Sequence, residues 1–326
     1  IDLDGFKAIN DNYGHSVGDR LIKSVSVMLE EIVGRSGMVA RLGGDEFAIL
    51  VHGHDAVTVL QMRAHDILGK LSRPFRIDER TVLVGASIGL ASASHSDLDA
   101  SELMRRADVA MYAAKRAGKM RLCWYDEMLD QRRTAAILLE TELRTAIEED
   151  EFALVYQPVI ESESQQIVGV ETLLRWESPT RGHVRPAEFV RVAEETGLID
   201  RIGAIVLRKA CVEGLSWPIN ISINLSAAQL RNPDFPSELS RILDSTGFPA
   251  ERLQLEFNEH FLVADPENAR RVLKAIAERG VSLSLDNYGT GTVSMRFLSQ
   301  FPYSRIKLDR HLVAKALHSE AARTAL

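Results

Sequence analysis

Residues 38–51 of the chain read Met38-Val39-Ala40-Arg41-Leu42-Gly43-Gly44-Asp45-Glu46-Phe47-Ala48-Ile49-Leu50-Val51. Two apolar runs flank a pair of glycines, which is the pattern of two antiparallel strands joined by a tight turn. Glycine permits the backbone conformations that such a turn needs, and it lets a ligand approach the main chain closely. We therefore predict a β-hairpin with Asp45 and Glu46 at its tip.

The segments on either side of this hairpin predict a mixed α/β domain. Apolar residues recur with helical spacing between Ser16 and Val33. The other predicted elements are helices over residues 56–71 and 101–117 and strands over residues 75–77, 81–91 and 121–125. Helices and strands mixed around a hairpin indicate a compact α/β sandwich over residues 1–125. The uninterrupted, charged helical pattern of residues 126–149 predicts a connecting helix.

Residues 150–326 show a different rhythm, in which strands and helices alternate. The predicted strands lie over residues 153–157, 168–174, 219–224, 253–257, 282–286 and 305–308. Repeated strand-then-helix units predict a parallel sheet, and this number of units predicts a (β/α) barrel. Because closure of such a barrel usually takes about eight strands, we expect the barrel of this second domain to be incomplete.

Composition and charge exclude several classes of protein. The chain of 326 residues has a net charge of −7 and no concentrated basic face, so we expect no nucleic-acid partner. It has neither a signal-peptide pattern nor an apolar run of about 18 residues, so we expect a cytoplasmic location and no membrane contact from this chain. Membrane anchoring of a longer parent protein through N-terminal regions stays open. Cys123 and Cys211 are too few for a disulfide framework and lack metal-ligand spacing.

Acidic side chains from two predicted strands converge in the first domain. Asp2 and Asp4 lie at a predicted strand end, and Asp45 and Glu46 lie at the hairpin tip. Convergent carboxylates suit Mg²⁺, which usually also binds substrate phosphates. An acidic surface hairpin without function is the alternative interpretation. The lysines that are candidates to neutralise phosphates are Lys7, Lys115 and Lys119.

Longer strings in this domain resemble the GGDEF family of diguanylate cyclases. The matching strings are Asp2-Leu3-Asp4-Gly5-Phe6-Lys7-Ala8-Ile9-Asn10-Asp11-Asn12-Tyr13-Gly14-His15, then Gly18-Asp19, Arg41–Phe47 and Ala107–Lys115. The resemblance covers residues 1 to about 125. It implies that two paired domains, each holding one GTP, form cyclic di-GMP, and hence a homodimer through the GGDEF domains.

The same resemblance implies roles for individual residues. The residues that would hold Mg²⁺ or Mn²⁺ are Asp2, the Leu3 carbonyl and Glu46, and the implied catalytic residues are Asp45 and Glu46, with Asp45 at the metal and the attacking 3′-hydroxyl. The residues that would bind guanine are Asn10 and Asp19, and those that would bind phosphate are Lys7 and Lys115. The metals would lower the pKa of the hydroxyl and stabilise charge on the attacked phosphorus. Gly34 and Gly37 occupy the positions of the family's inhibitory Arg-x-x-Asp, so we expect no product inhibition by that route.

In the second domain, polar residues occupy the C-terminal halves of different predicted strands. They are Glu171, Asn224, Glu256, Asp286 and Lys307. In a (β/α) barrel these strand ends form one rim, where active sites lie. Carboxylate and amide oxygens there predict a Mg²⁺ or Mn²⁺ site, in which a lysine can orient a water or a phosphate. Any one of these residues alone is an ordinary polar strand end.

The strings around these residues resemble the EAL family of cyclic di-GMP phosphodiesterases. They are Tyr156–Pro158, Gly169–Trp176, Asn224–Ser226, Leu255–Glu259, Asp286–Gly291 and Ile306–Arg310. The resemblance covers residues 150–326 and implies an EAL-type barrel that hydrolyses one phosphodiester with two metals and an activated water. By this resemblance the positions that contact the ligand are Gln157, Leu174 and Arg175, the metal ligands are Glu171, Asn224, Glu256 and Asp286, and a further catalytic residue is Lys307.

Three positions depart from the EAL pattern. Thr172 replaces an Ala, Asn258 replaces a Thr, and Asn287 replaces an Asp that bridges towards the second metal. A neutral amide is a weaker ligand for a hard dication and cannot deprotonate water. We therefore expect a diguanylate cyclase whose EAL domain binds cyclic di-GMP or regulates. The alternatives are an active phosphodiesterase with GTP bound at the GGDEF domain as a regulator, and a non-catalytic cyclic di-GMP receptor.

Overall fold

The predicted connecting segment forms a single helix, Glu127–Glu148, in a computed structural model that describes residues 1–93, 99–289 and 295–316. The chain divides within this helix into two units, Ile1–Ala135 and Ala136–Leu326. The predicted borders of functional domains at residues 125 and 149 stay predictions. Thr290 and Gly291, which end one of the quoted strings, lie outside the described residues.

The first unit is built around a mixed sheet. Its elements are β1 (Asp2–Asp4), α1 (Phe6–Tyr13), α2 (His15–Val33), β2 (Gly37–Gly43), β3 (Glu46–Val51), α3 (Ala56–Leu71), β4 (Phe75–Ile77), β5 (Arg80–Val82), β6 (Gly85–Leu90), α4 (Ala100–Arg116), β7 (Arg121–Trp124) and the start of α5 (Glu127–Glu148). In the described part of this unit the sheet order is β2-β3-β1-β6-β7, and β4 pairs with β5 in a separate ribbon. Only β6 and β7 pair in parallel within this sheet as described.

Helices cover both faces of this sheet. On one face, Leu21 and Leu29 of α2 are fully buried and join Phe47 and Ile88 in an apolar core. On the other face α4 crosses β6 at Gly89, where an added Cβ would lie 1.9 Å from the carbonyl oxygen of Ala107. Glycine at this position therefore lets α4 lie directly on the strand, and α4 carries the predicted phosphate lysine, Lys115.

The hairpin is confirmed, whereas the strand predicted over residues 81–91 is two strands. β5 belongs to the two-stranded ribbon and β6 to the central sheet, so the chain passes from one to the other at residues 83–84. Gly85 begins β6 at a point where an added Cβ would lie 2.7 Å from the sulfur of Met120. Helix α1 was not expected from apolar spacing, because its only buried residue is Ile9.

The second unit contains the larger sheet. Its elements are the end of α5, β8 (Phe152–Ile160), β9 (Ile167–Ser178), β10 (Gly182–Val184), α6 (Pro186–Thr196), α7 (Ile199–Glu213), β11 (Asn220–Asn224), α8 (Ala227–Arg231), α9 (Phe235–Thr246), β12 (Leu253–Asn258), α10 (Glu259–Ala264), α11 (Pro266–Glu278), β13 (Ser282–Tyr288), α12 (Met295–Leu298), β14 (Arg305–Leu308) and α13 (Arg310–Ala316). Short 3₁₀ helices lie at Gly34–Ser36, Gly214–Ser216 and Ala250–Arg252.

The prediction of a parallel sheet is correct for the later strands and wrong for the first ones. β9, β11, β12, β13 and β14 pair in parallel, in that order, but β8 and β10 both pair antiparallel with β9. Residues 161–166 join β8 to β9, and so short a connection allows only an antiparallel hairpin, since a parallel crossover needs about a dozen residues. The sequence prediction also missed β10.

The two faces of the parallel strands differ in polarity. Ile221, Ile223, Leu255 and Leu283 point to one face and are buried in the apolar core beneath the helices. Because side chains alternate along a strand, the other face receives the polar residues of the same strands. The fold thus presents the predicted site residues together on one surface of the sheet. No helix in the described residues has the length and apolar character needed to span a bilayer.

Candidate active sites

The acidic site of the first unit forms where β1 lies between β3 and β6. Asp2 stands directly opposite Glu46 in the antiparallel pair, and its side chain is 13% exposed. The backbone N–H of Leu3 donates to the carbonyl oxygen of Asp45 at 3.2 Å. The Leu3 carbonyl therefore faces the hairpin as well, because both polar groups of a strand residue point the same way. The structure brings together Asp2, Leu3, Asp45 and Glu46, as predicted.

Lys115 completes this cluster. Its ammonium lies 2.5 Å from the Asp2 carboxylate, and its side chain is about a third exposed. Two carboxylates directly opposite each other on adjacent strands repel, so a cation beside Asp2 stabilises the arrangement. A predicted phosphate-binding residue thus pairs with a predicted metal-binding carboxylate.

Asp4 has a structural role that the sequence did not indicate. One carboxylate oxygen accepts the hydroxyl of Ser87 at 2.8 Å and the other accepts the backbone N–H of Met120 at 3.0 Å. Asp4 thereby ties β1 to β6 and to the turn that follows α4. That turn includes Lys119, which is exposed and has a left-handed backbone with φ of 61°.

The predicted guanine-binding residues lie on neighbouring helices. Asn10 is on α1, and Gly18 and Asp19 are in the first turns of α2. An added Cβ at Gly18 would lie 1.9 Å from Oδ1 of Asn10, so glycine makes room for this amide. Within the described residues, Oδ1 of Asn10 is buried and has no hydrogen-bond partner. Asp19 and the predicted phosphate residue Lys7 are exposed.

Hydrogen bonds from Arg41 stabilise the conformation of the hairpin tip. The guanidinium of Arg41 donates twice to the carbonyl oxygen of Gly44, at 3.0 and 2.8 Å. Gly44 has φ of 52°, which favours glycine. The sequence pattern predicted the turn but not this role of Arg41.

In the second unit, Lys307 forms ion pairs with two of the predicted metal ligands. Its ammonium lies 2.6 Å from a carboxylate oxygen of Glu171 and 2.6 Å from one of Glu256. The amide N–H of Asn224 donates to the other oxygen of Glu171 at 2.9 Å. β9, β12 and β14 therefore deliver one cation and two carboxylates to the same point on the polar face.

Burial and hydrogen bonding act in opposite directions on these carboxylates. The side chain of Glu256 is 2% exposed and that of Glu171 is 22% exposed. The pKa of Glu256 is raised, chiefly by burial and also by the neighbouring charges of Glu171 and Asp286, although Lys307 lowers it. Burial also raises the pKa of Glu171, but the hydrogen bonds from Lys307 and Asn224, together with the charge of Lys307, outweigh it and the pKa falls. The two carboxylates hold the pKa of Lys307 above its usual value, although burial lowers it.

The strand ends beyond this cluster are shaped by local hydrogen bonds. Ser226 caps α8 through a reciprocal pair of hydrogen bonds with Gln229, at 3.1 and 3.2 Å, which starts the helix just after Asn224. Asp286 lies one rung past Glu256 on the same face, opposite Asn258. Asn287 has φ of 56° at a register shift in β13, and its amide donates to Asp286 at 2.8 Å.

Two of the predicted ligand contacts, Leu174 and Arg175, line a cleft of about 340 Å³ within this unit, whereas Gln157 is not part of its lining. The cleft is lined by Leu174 and Arg175 of β9 and by residues of α6, α7, β11 and α8. Arg175 is on the same face of β9 as Glu171, whereas Leu174 points to the opposite face and packs against the core. Gln157 stands opposite Glu171 across the β8–β9 pair and is exposed.

Comparison with known proteins assigns both units. Residues 1–121 match the family described as "Diguanylate cyclase, GGDEF domain", and residues 140–326 match the EAL domain family. The chain belongs to the GGDEF–EAL family. This finding confirms the resemblances and the predicted fold class, an α/β GGDEF domain followed by an EAL-type (β/α) barrel domain.

The GGDEF–EAL chain is similar over nearly its full length to curated relatives. MucR of Pseudomonas aeruginosa, named a bifunctional diguanylate cyclase/cyclic di-GMP phosphodiesterase, is 34% identical over 98% of this chain and 47% of MucR. PdeR of Escherichia coli, named a cyclic di-GMP phosphodiesterase, is 34% identical over 96% of this chain and 48% of PdeR. This chain thus spans less than half the length of either relative. The solved PaMucR phosphodiesterase in complex with c-di-GMP is 32% identical, with a TM-score of 0.53 over 58% of this chain and 78% of that one.

The donor sets of both domains suit a hard divalent cation. In the EAL domain the Lys307 ammonium already bridges two carboxylates, so the site accommodates positive charge between Glu171 and Glu256. No three His, Cys, Asp or Glu side chains converge on one point among residues 1–93, 99–289 and 295–316.

Sequence reasoning missed one residue at the EAL site. Gln254 is 6% exposed, and its amide N–H donates to Glu256 at 3.3 Å. Its only sequence signal is a polar residue two positions before Glu256, between the apolar residues Leu253 and Leu255. Alternation along β12 places both side chains on one face.

Proposed function

We propose that this chain acts in cyclic di-GMP signalling, with a GGDEF domain that condenses two molecules of GTP to cyclic di-GMP and an EAL domain that binds cyclic di-GMP. The observation that carries the cyclase activity is the pairing of Asp2 with Glu46 across β1 and β3, with Lys115 2.5 Å from Asp2. Two carboxylates, a backbone carbonyl and a lysine are what a metal–nucleotide phosphate complex requires.

The residues of the GGDEF domain have separate tasks in this proposal. Asp2, Glu46 and the Leu3 carbonyl would hold Mg²⁺ or Mn²⁺, which supplies charge stabilisation at phosphorus when bound. Asp45, whose backbone carbonyl accepts the N–H of Leu3, would orient the 3′-hydroxyl. Lys7, Lys115 and Lys119 bind the phosphates.

Guanine recognition rests on Asn10 and Asp19. The buried Oδ1 of Asn10, which has no hydrogen-bond partner in the part of the chain that the structure describes, is an acceptor for the N–H groups on the guanine edge. The Asp19 carboxylate is a second acceptor. Adenine presents an acceptor in place of the guanine N1–H, which leaves this oxygen unpaired. The pair therefore favours GTP over ATP.

Product formation requires two such half-sites. In each half of the reaction a 3′-hydroxyl oxygen forms a bond to the α-phosphorus of the other GTP, and pyrophosphate leaves. Because one GGDEF domain binds one GTP in this scheme, we propose a homodimer through the GGDEF domains under turnover conditions. A strict monomer by light scattering during turnover would contradict the dimer.

The cyclase is tested by incubating the purified chain with GTP and Mg²⁺ and separating the nucleotides by chromatography. We expect cyclic di-GMP from the native chain and at least about 100-fold less from Glu46→Gln, because the variant loses a charged metal ligand at the reacting phosphate. Glu31→Gln, an exposed change on α2, is the matched control and retains activity. Unchanged GTP with the native dimer would overturn the cyclase and favour the receptor alternative.

A phosphodiesterase is the second candidate function. The observation that favours it is the bridge from Lys307 to Glu171 and Glu256, which keeps this part of the EAL site assembled. The names of MucR and PdeR point to the same activity in relatives. Against it stands Asn287, an amide where the family has a carboxylate.

Replacing Asn287 by Asp is expected to raise cyclic di-GMP hydrolysis at least about 10-fold, because a carboxylate both binds a hard dication and activates water better than an amide. The measurement is formation of the linear dinucleotide from cyclic di-GMP with Mn²⁺. Asn287→Gly is the control, since it relieves the positive φ without adding charge. If the native chain already hydrolyses as fast as Asn287→Asp, the EAL domain is a working phosphodiesterase and the amide does not limit it.

A further inference from the structure

Further buried polar residues share the polar face of the EAL sheet with the candidate site. Ser222, Gln254 and Ser284 lie there on adjacent strands, each less than 8% exposed. Gln254 pairs in register with Ser222, and Glu256 pairs with Ser284. Of these three side chains, Gln254 makes a hydrogen bond to a predicted metal ligand.

Gln254 and Lys307 together occupy both oxygens of the Glu256 carboxylate. Nε2 of Gln254 donates to Oε1 at 3.3 Å, and the Lys307 ammonium contacts Oε2 at 2.6 Å. A carboxylate held at both oxygens cannot rotate freely about its last bond. The remaining lone pairs of Glu256 therefore point in fixed directions.

Burial of the Gln254 amide lowers the stability of the fold unless the amide makes a hydrogen bond. Transfer of an amide out of water is unfavourable without a compensating hydrogen bond, and an apolar residue would pack against the same strands without that penalty. The hydrogen bond to Glu256 supplies the compensation and links two residues on one strand. Groups that orient a metal ligand from outside the ligand set commonly change metal affinity.

We propose that Gln254 is a positioning residue of the EAL site, which orients Glu256 and thereby sets the affinity of this site for a divalent cation. This inference rests on the proposed metal-binding role of Glu171, Asn224 and Glu256. It assigns Gln254 no contact with cyclic di-GMP, whose proposed contacts are Gln157, Leu174 and Arg175.

The test is Mn²⁺ binding followed by electron paramagnetic resonance of free Mn²⁺. All samples are the full chain carrying Glu46→Gln, so that the GGDEF site adds little to the signal. Gln254→Met keeps the volume of the side chain and removes the donor, and we expect it to raise the Kd for Mn²⁺ about 10-fold. Ser284→Ala is the matched control, because its hydroxyl is buried on the same face and has no partner in the described residues. We expect its Kd to change less than about 2-fold.

Two further measurements separate positioning from general damage. In a Glu256→Gln background, Gln254→Met is expected to have no additional effect on Mn²⁺ affinity, since its target is already altered. Binding of cyclic di-GMP in the presence of EDTA is expected to stay within about 2-fold of the native value.

Several outcomes would overturn this role. Native-like Mn²⁺ affinity in Gln254→Met, an equal loss in the Glu256→Gln background, or an equal loss of cyclic di-GMP binding each contradicts it. If the full chain that carries only Glu46→Gln binds no Mn²⁺, the proposed metal site is overturned, and the role of Gln254 with it.

Discussion

Replacement of Lys307 by Met is expected to destabilise the EAL domain by about 2–3 kcal/mol near neutral pH in EDTA. The change leaves two carboxylates beside each other without a cation, and Glu256 is 2% exposed. Removing one partner of a buried ion pair costs about 3–5 kcal/mol. The expected loss is smaller because the side chain of Lys307 is 35% exposed.

The effect of Lys307→Met depends on pH in a definite direction. The lowered pKa of Glu171 stabilises the native fold above its unfolded value and loses that contribution as pH falls through the folded value. The raised pKa of Lys307 stabilises the fold below its unfolded value and loses that contribution as pH rises through the folded value. The stabilisation of the native fold by the Glu171–Lys307 pair is therefore present between about pH 4.5 and pH 10.5. In the variant, a protonated Glu256 relieves the repulsion, so the deficit shrinks towards about pH 5.

The measurement is urea unfolding at about pH 8 and pH 5, followed by the fluorescence of Trp176 and Trp217 with Trp124→Phe in all samples. Lys274→Met is the matched control, because Lys274 is 71% exposed and makes only a 3.7 Å helical ion pair with Glu278. Its effect should stay within about 0.5 kcal/mol. Equal losses for Lys307→Met and Lys274→Met, or a deficit that grows towards low pH, would contradict the structural account of this bridge.

Replacement of Gly18 by Ala is expected to raise the KM for GTP about 10- to 100-fold. The new Cβ would lie 1.9 Å from Oδ1 of Asn10 and 3.1 Å from the ring of Phe6, so the amide must move away. A displaced acceptor loses a buried hydrogen bond to the base, worth about 1–3 kcal/mol. Selectivity for GTP over ATP should fall with it, which loss of fold alone does not produce.

The control for this variant is Gly69→Ala. Gly69 also lies inside a helix, α3, but an added Cβ there meets no atom within 4 Å. The change should raise stability by about 0.5–1 kcal/mol, since Ala favours a helix over Gly, and leave the KM for GTP unchanged. Native GTP affinity and selectivity in Gly18→Ala would show that Asn10 does not bind the base.

The sequence correctly predicted those helices and strands whose formation depends on residues close together in the chain. The glycine pair between apolar runs predicted the β2–β3 hairpin, and the strands that carry Glu171, Asn224, Glu256, Asp286 and Lys307 follow from short apolar runs between turns. Alternation along a strand then placed these side chains on one face. The antiparallel pairing of β8 was missed because strand direction depends on the length of the connection, which a strand-by-strand prediction did not weigh.

Residue type and order along this chain determined the two families, the candidate metal ligands and the substitution of Asn for Asp at position 287. Only the tertiary structure decided which of these groups form hydrogen bonds and ion pairs with one another. Lys115 pairs with Asp2 because α4 lies directly on β6, and Lys307 bridges Glu171 and Glu256 because β14 ends beside the same face of the sheet. The hydrogen bonds of Asp4 to Ser87 and Met120, and that of Gln254 to Glu256, likewise depend on how the strands and turns pack. Hydrogen bonds and ion pairs between residues far apart in sequence depend on distances of a few ångströms, which spacing along the chain does not specify.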